Sequence, residues 1–342
     1  MAGLLTEPAS HSPAIADLLR SIALFQGLDA ESLADVCPTA EQFTLAAGQV
    51  LFAQNDPGDG AYLVGSGSLS VYGRTPGDGE RLLTRVGPQE VVGEFCLLDG
   101  GRRSGEVRAD EPVSGYRIDR EKFAALRAGG RAVAFEVLRR LQQAVASRTR
   151  ETIEEIAAVV APAAAEPVSL QDRACTPAEP AQCQALLHAF PGFDGFRAED
   201  WAPFAGLCGR FELARGDMVE PGVEPFGALY VIARGALRVR LPGAAPTQQL
   251  LIRGPGSLVG TAALVQGGDW PAMVDVREDA VIFALPAHAF AAICHPQSAM
   301  ERRLFDMLGR QLTTDLRRIS RVQTRVELAS LVQASNALGS VG

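Results

Sequence analysis

Apolar and polar residues alternate in short runs through most of the chain, and only a few segments replace that two-residue period with helical spacing. Leu69-Ser70-Val71-Tyr72 and Leu237-Arg238-Val239-Arg240 show the alternation of half-buried strands. Asp56-Pro57-Gly58-Asp59-Gly60 and Thr75-Pro76-Gly77-Asp78-Gly79 are turn-forming clusters between such runs. Many short strands punctuated by glycine predict a sandwich or jelly-roll barrel and not a doubly wound sheet.

Helical periodicity is confined to the flanks. Residues 13–24 predict a helix leading into the first barrel. A longer one is predicted from about Arg131 to about Val160, with Leu138, Leu141, Val145, Thr152, Ile156 and Val159 along a narrow stripe. The stripe resembles a coiled-coil seam and continues past what one small barrel could cover, so it predicts self-association, against the simpler alternative of packing back on its own barrel. Ala161 to Pro180 is rich in Ala and Pro without periodicity and reads as a linker. A final helix is predicted from about Ser298 to about Ala334, with Leu304, Leu308, Leu312, Ile319, Val322 and Val326 on one side.

The strand pattern occurs twice. Leu45-Ala46-Ala47-Gly48-Gln49-Val50 matches Leu213-Ala214-Arg215-Gly216-Asp217-Met218, and Tyr62 to Leu69 matches Tyr230 to Leu237, both at an offset of 168 residues. A third block, Gly93-Glu94-Phe95-Cys96-Leu97-Leu98-Asp99-Gly100-Gly101-Arg102-Arg103-Ser104, has a weaker copy at Gly260-Thr261-Ala262-Ala263-Leu264-Val265-Gln266-Gly267-Gly268-Asp269-Trp270, offset by 167. Register held through three blocks marks a duplicated module. The predicted fold class is mixed β with flanking α: two antiparallel β jelly-roll barrels, each followed by a long helix. The predicted divisions are a lead-in over 1–20, a first domain with its helix over 21–160, a linker over 161–183 and a degenerate second domain over 184–338.

Composition narrows the function. The 342 residues exceed one typical core and fit two domains. A formal net charge of −8 argues against nucleic acid as the default partner. The six cysteines have no CxxC or histidine-linked spacing and read as reduced thiols of a cytoplasmic chain. The four histidines likewise form no ligand spacing, so no metal is expected. Neither a secretory signal nor an apolar run long enough to span a membrane is visible. No nucleotide-triphosphate loop or nucleophile–base pair is present, and the chain does not read as an enzyme.

The chemistry gathers in the third block. Gly93 permits a close backbone approach, and Phe95-Cys96-Leu97-Leu98 predicts one helical turn whose first N–H groups suit an anion. Arg103 follows the turn Asp99-Gly100-Gly101, which folds it back toward that helix start. A guanidinium there can grip two phosphate oxygens, and the Ser104 hydroxyl adds a donor. Glu94 would repel a phosphate but accepts a hydrogen bond from a sugar hydroxyl. A sugar hydroxyl beside a compact phosphate describes a nucleotide. Taken singly, Glu94 and Arg103 would read as a surface ion pair; with the glycine, turn, serine and repeat, binding is the stronger reading. Cys96 reads as a small buried hydrophobe. In the second copy Thr261 and Trp270 replace Glu94 and Arg103, removing charge-assisted contacts of about 1.5–3 kcal/mol each, so that barrel is expected to be silent.

The run Gly93 to Leu98 with Arg103-Ser104 resembles the phosphate-binding cassette of cyclic nucleotide-binding domains. The likeness covers about residues 20–128 and 187–293. It implies that Glu94 binds the ribose 2′-hydroxyl and Arg103 the cyclic phosphate, with cAMP or cGMP as ligand. It also implies that hydroxyls on the helix after the barrel contact the base, a place taken here by Ser147 and Thr149. One departure stands out: Gly105-Glu106 follows the Arg-Ser pair, and strand alternation would put the Glu106 charge on the face of Ser104.

The expected role is a cytoplasmic regulatory protein whose ligand repositions the long helix to control a homodimer or a separate, unidentified protein partner. No helix-turn-helix reader is seen, so no DNA partner is expected. The competing reading is a ligand-free scaffold built from degenerate barrels.

Overall fold

The computed structural model describes residues 13–74, 79–160, 174–219, 228–242, 249–267 and 270–339. The lead-in 1–12, most of the Thr75–Gly79 turn, residues 161–173 of the linker and Gly268-Asp269 lie outside them. The chain forms two compact units, residues 1–141 and 142–342.

In the first unit, helices α1 (Pro13–Ser21) and α2 (Ala30–Val36) precede eight strands. These are β1 (Ala40–Leu45), β2 (Val50–Phe52), β3 (Gly60–Ser66), β4 (Leu69–Arg74), β5 (Glu80–Val86), β6 (Val91–Val92), β7 (Glu106–Ala109) and β8 (Val113–Asp119). Helix α3 (Phe95–Asp99) interrupts the strands after β6, and α4 (Arg120–Ala128) follows β8. Two antiparallel four-stranded sheets result, ordered β1-β8-β3-β6 and β2-β7-β4-β5, as a jelly roll requires. Their inner faces close on Phe43, Leu45, Tyr62, Val64, Leu69, Val107 and Val113, residues at alternate positions of their strands.

The second unit repeats the plan with fewer breaks. After β9 (Thr176–Pro177), α6 (Pro180–Leu187) and α7 (Trp201–Leu207) come β10 (Gly209–Leu213), β11 (Met218–Val219), β12 (Ala228–Arg240), β13 (Gln249–Arg253), β14 (Leu258–Val259) and β15 (Met273–Pro286). Helix α8 (Thr261–Gln266) lies between β14 and β15, and α9 (Ala287–Cys294) and α10 (Ala299–Gly339) complete the unit. Its sheet is one bent, seven-stranded antiparallel assembly in which β12 and β15 run through the positions where the first unit changes strand. The repeated glycines keep their geometry: Gly48 and Gly216 have φ of 78° and 96°, Gly93 and Gly260 of 76° and 90°.

Two expectations change. The linker was expected to reach residue 183, but β9 pairs with β10 and α6 starts at Pro180, where the missing N–H of proline costs a helix nothing. Most of the seam on the long helix α5 (Ala132–Val159) is consumed within the chain, while Val159 at its end stays exposed. Leu138 and Leu141 are buried in the first unit; Val145, Thr152, Ile153 and Ile156 are buried in the second. Ile153 and Ile156 join the second core together with Ile319, against which Val322 and Val326 also pack. The stripe runs longer than one barrel because a second core takes it over, and the argument for a homodimer from its length lapses.

Candidate functional site

The loop between β2 and β3 and the segment from β6 to β7 fold together in the first barrel. Asn55 N donates to the Arg103 carbonyl at 3.0 Å, Arg103 N to the Asp56 carbonyl at 2.9 Å and Gly58 N to the Gly101 carbonyl at 3.2 Å. Gly58 is pressed so closely on α3 that a Cβ there would sit 2.4 Å from the Cβ of Cys96. The Asp99 turn forms as the sequence suggests, with Gly101 N bonded to Asp99 Oδ1 at 2.7 Å and Gly100 at a φ of 62°.

That turn returns Arg103 to the start of α3, where it is buried at 4% exposure. Its Nη1 donates to the Gly93 carbonyl at 2.8 Å and lies 3.8 Å from Cys96 Sγ. Its Nη2 donates to the Gly60 carbonyl at 2.9 Å and to Asp59 Oδ1. The guanidinium carbon stands 4.1 Å over the Phe52 ring and 5.5 Å from the Tyr62 ring centre, a cation–π seat. Gly93 is required twice over: its φ is 76°, and a Cβ would meet Arg103 Nη1 at 2.3 Å. Among the described residues Arg103 Nε is buried without a hydrogen-bond partner. The Nε atoms of Arg117, Arg210, Arg240 and Arg253 share this condition, so it does not by itself mark a ligand site.

Glu94 occupies the N-cap position of α3 without a side-chain capping bond. Burial pushes its carboxyl up to about 7, against the pull of Arg103. Phe95 is half-buried at the first position of α3. The Cys96 thiol donates to the Gly60 carbonyl at 3.3 Å, and burial pushes it up to about 11, so it packs and is no nucleophile. Ser104 is exposed beside Arg103.

Glu106 does not face the barrel core. Its strand neighbour Val107 lies in the barrel core, so Glu106 points to the opposite side of the sheet. There it pairs with Arg108, which also grips Glu80 through bonds of 3.0 and 2.7 Å and lies 4.9 Å over Tyr72. Ser104 and Glu106 alternate with buried Gly105 and Val107, so the two share a face as expected, and that face points away from the core.

Ser147 and Thr149 belong to the second unit. Thr149 is buried, donates to the Val145 carbonyl at 2.7 Å, and lines a cavity of about 30 Å³ with Ile153, Arg253, Thr261, Trp270 and Ile319. That cavity lies at the second copy of the cassette block, between Gly260 and Trp270. Thr261 is buried and Trp270 packs on the second core, while Arg253 is spent on a buried pair with Asp315. By sequence alone Asp59 falls only in a turn and Tyr62 only in the repeat, and Phe52 is not singled out; the turn that ends at Asp59 is the signal that could have exposed the first of them.

The family model described as "Cyclic nucleotide-binding domain" matches residues 42–129 and 210–296. The chain belongs to the cyclic nucleotide-binding domain family. Both barrels, including the one that lost its charged contacts, are therefore cyclic nucleotide-binding folds. A "CRP-like cAMP-activated global transcriptional regulator" of Mycobacterium tuberculosis is 27% identical over 144 residues, 42% of this chain and 62% of the relative. The "Cyclic AMP receptor protein" of Thermus thermophilus is 33% identical over 108 residues, 32% of this chain and 50% of the relative. The chain thus spans 50–62% of the length of these curated relatives. Among solved structures, the regulatory domain of Toxoplasma gondii PKA with cAMP is 18% identical with a TM-score of 0.33, covering 85% of this chain and 94% of that one. Among the described residues no helix is long and apolar enough to cross a membrane, and no group of side chains is arranged to hold a metal.

Proposed function

We propose that this cyclic nucleotide-binding protein is a cytoplasmic, non-enzymatic sensor whose first barrel takes a cyclic mononucleotide, cAMP or cGMP, while its second barrel takes none. The observation that carries this reading is Arg103, buried at the start of α3 and held there by the Gly93 and Gly60 carbonyls and by Asp59. Glu94 supplies the acceptor for a ribose hydroxyl, Phe95 and Cys96 the first backbone donors of α3, and Ser104 an exposed hydroxyl. The names of the bacterial relatives favour cAMP.

Output would pass through the helix after the barrel to a protein partner, with no DNA contact by this chain itself. A ligand acts as a switch there only if it binds two helix arrangements with different affinity. We infer that Ser147 and Thr149 are the base contacts, and for Thr149 this would require its buried side chain to be uncovered.

Calorimetric titration of cAMP and cGMP into the full chain tests the reading. The expected result is one site per chain, abolished in Arg103→Ala, which removes charge-assisted contacts totalling about 3 kcal/mol or more. Two sites would contradict the silence of the second barrel. No heat with either nucleotide would leave the ligand-free scaffold.

A further inference from the structure

Asp59 lies beside the ligand site and carries the sign of charge that a phosphate avoids. It cannot be dispensed with, because it anchors Arg103 Nη2. Paired with Arg103 alone it would also cancel the charge that attracts the ligand. A second guanidinium shares the carboxylate. Arg117 on β8 directs Nη1 to Asp59 Oδ2 at 2.6 Å, and Tyr62 donates its hydroxyl to the same oxygen at 2.9 Å. Burial opposes ionisation of Asp59, but the bonds from Arg117 and Tyr62 and the charges of Arg103 and Arg117 outweigh it and hold the carboxyl below its usual range.

Arg117 is itself fixed from the other side. Its Nη2 meets Glu41 Oε2 at 2.5 Å and Asp119 Oδ2 at 3.3 Å, and Lys122 Nζ meets Glu41 Oε1 at 2.8 Å. The sheet register makes this unavoidable, because Glu41 on β1 and Tyr62 on β3 are both direct cross-strand partners of Arg117. Charges then alternate outward from the site: Arg103, Asp59, Arg117, and the Glu41–Asp119 pair.

We infer that Arg117 is a positioning residue for the ligand site, holding and sharing the Asp59 carboxylate so that Arg103 is steadied without being neutralised toward an anionic phosphate. This rests on the nucleotide-binding reading above and adds to it a residue fourteen positions beyond the cassette arginine.

A double-mutant cycle in the full chain tests the inference, with cAMP dissociation constants measured by calorimetry for wild type, Arg117→Met, Asp59→Asn and the double variant. Arg117→Met is expected to weaken binding about tenfold in the wild-type background and less than twofold once Asp59 is asparagine, because no carboxylate is left to share. A merely structural arginine would cost the same in both backgrounds. That result overturns the inference and leaves nucleotide binding standing, whereas a wild-type chain that binds no nucleotide removes both. Arg117→Lys keeps one charge between Asp59 and Glu41 and serves if the methionine variant unfolds. It is expected to lose less affinity, and its loss too must vanish with Asp59→Asn.

Discussion

At matched positions the two barrels carry Glu94 and Thr261, Cys96 and Ala263, Arg103 and Trp270. In the first, the buried guanidinium is held by two carbonyls, a carboxylate and two rings, which maintain a positive centre inside a jelly roll. In the second, the same region is closed by Thr149 and Ile153 of α5 and Ile319 of α10 beside the buried Arg253–Asp315 pair, leaving about 30 Å³. That volume is near the room one water needs and far below a nucleotide. The difference teaches that a barrel with Thr261 and Trp270 in place of the cassette carboxylate and guanidinium need not leave a hole, because side chains of the flanking helices fill the place.

The comparison can be broken most forcefully at Ile153. Ile153→Ala enlarges the sealed cavity and is expected to destabilise the second unit by about 3 kcal/mol. Both tryptophans, Trp201 and Trp270, lie in that unit, so their fluorescence during denaturant unfolding reports it selectively. An unmoved midpoint would mean that α5 does not seal the second barrel.

A smaller effect is expected from pH. With the Glu94 carboxyl raised to about 7, the free protein carries a proton there below neutrality, while the ribose hydroxyl requires the ionised acceptor. Affinity for cAMP should therefore fall about tenfold between pH 8 and pH 6, and Glu94→Gln should bind more weakly but with a flat profile. The same raised value favours the fold below the ordinary glutamate range, and that contribution fades as pH rises toward about 7. A wild-type affinity unchanged over this range would place Glu94 away from the ligand.

The smallest effect is assigned to Glu106. Because it faces away from the core and is paired with Arg108, Glu106→Gln should alter nucleotide affinity less than twofold in the same titration. A gain of tenfold would show that its charge does reach the ligand.

Much of the first site was legible because it is local. Gly93, Glu94, Arg103 and the Asp99-Gly100-Gly101 turn lie within eleven residues, and a turn's geometry follows from its own residues. Arg117 was not legible, since β-pairing alone brings it, 58 positions away in sequence, onto the Asp59 carboxylate. Alternation put Glu106 on the face of Ser104, but only the closed barrel shows that this face points away from the core.

By itself the sequence determined that two jelly-roll modules repeat, which of them kept a charged cassette, and where the long helices run. Alternation, turn chemistry and helical spacing are short-range properties, written at each position by what a strand, turn or helix can accommodate. Only the tertiary structure decided what covers each apolar stripe and what holds each buried charge. It turned the seam of α5 from an expected contact between chains into part of the second core. It also surrounded Arg103 with groups drawn from β2, β3 and the loop before β3. Burial and charge compensation depend on which distant segments meet, and no single stretch of chain records that meeting.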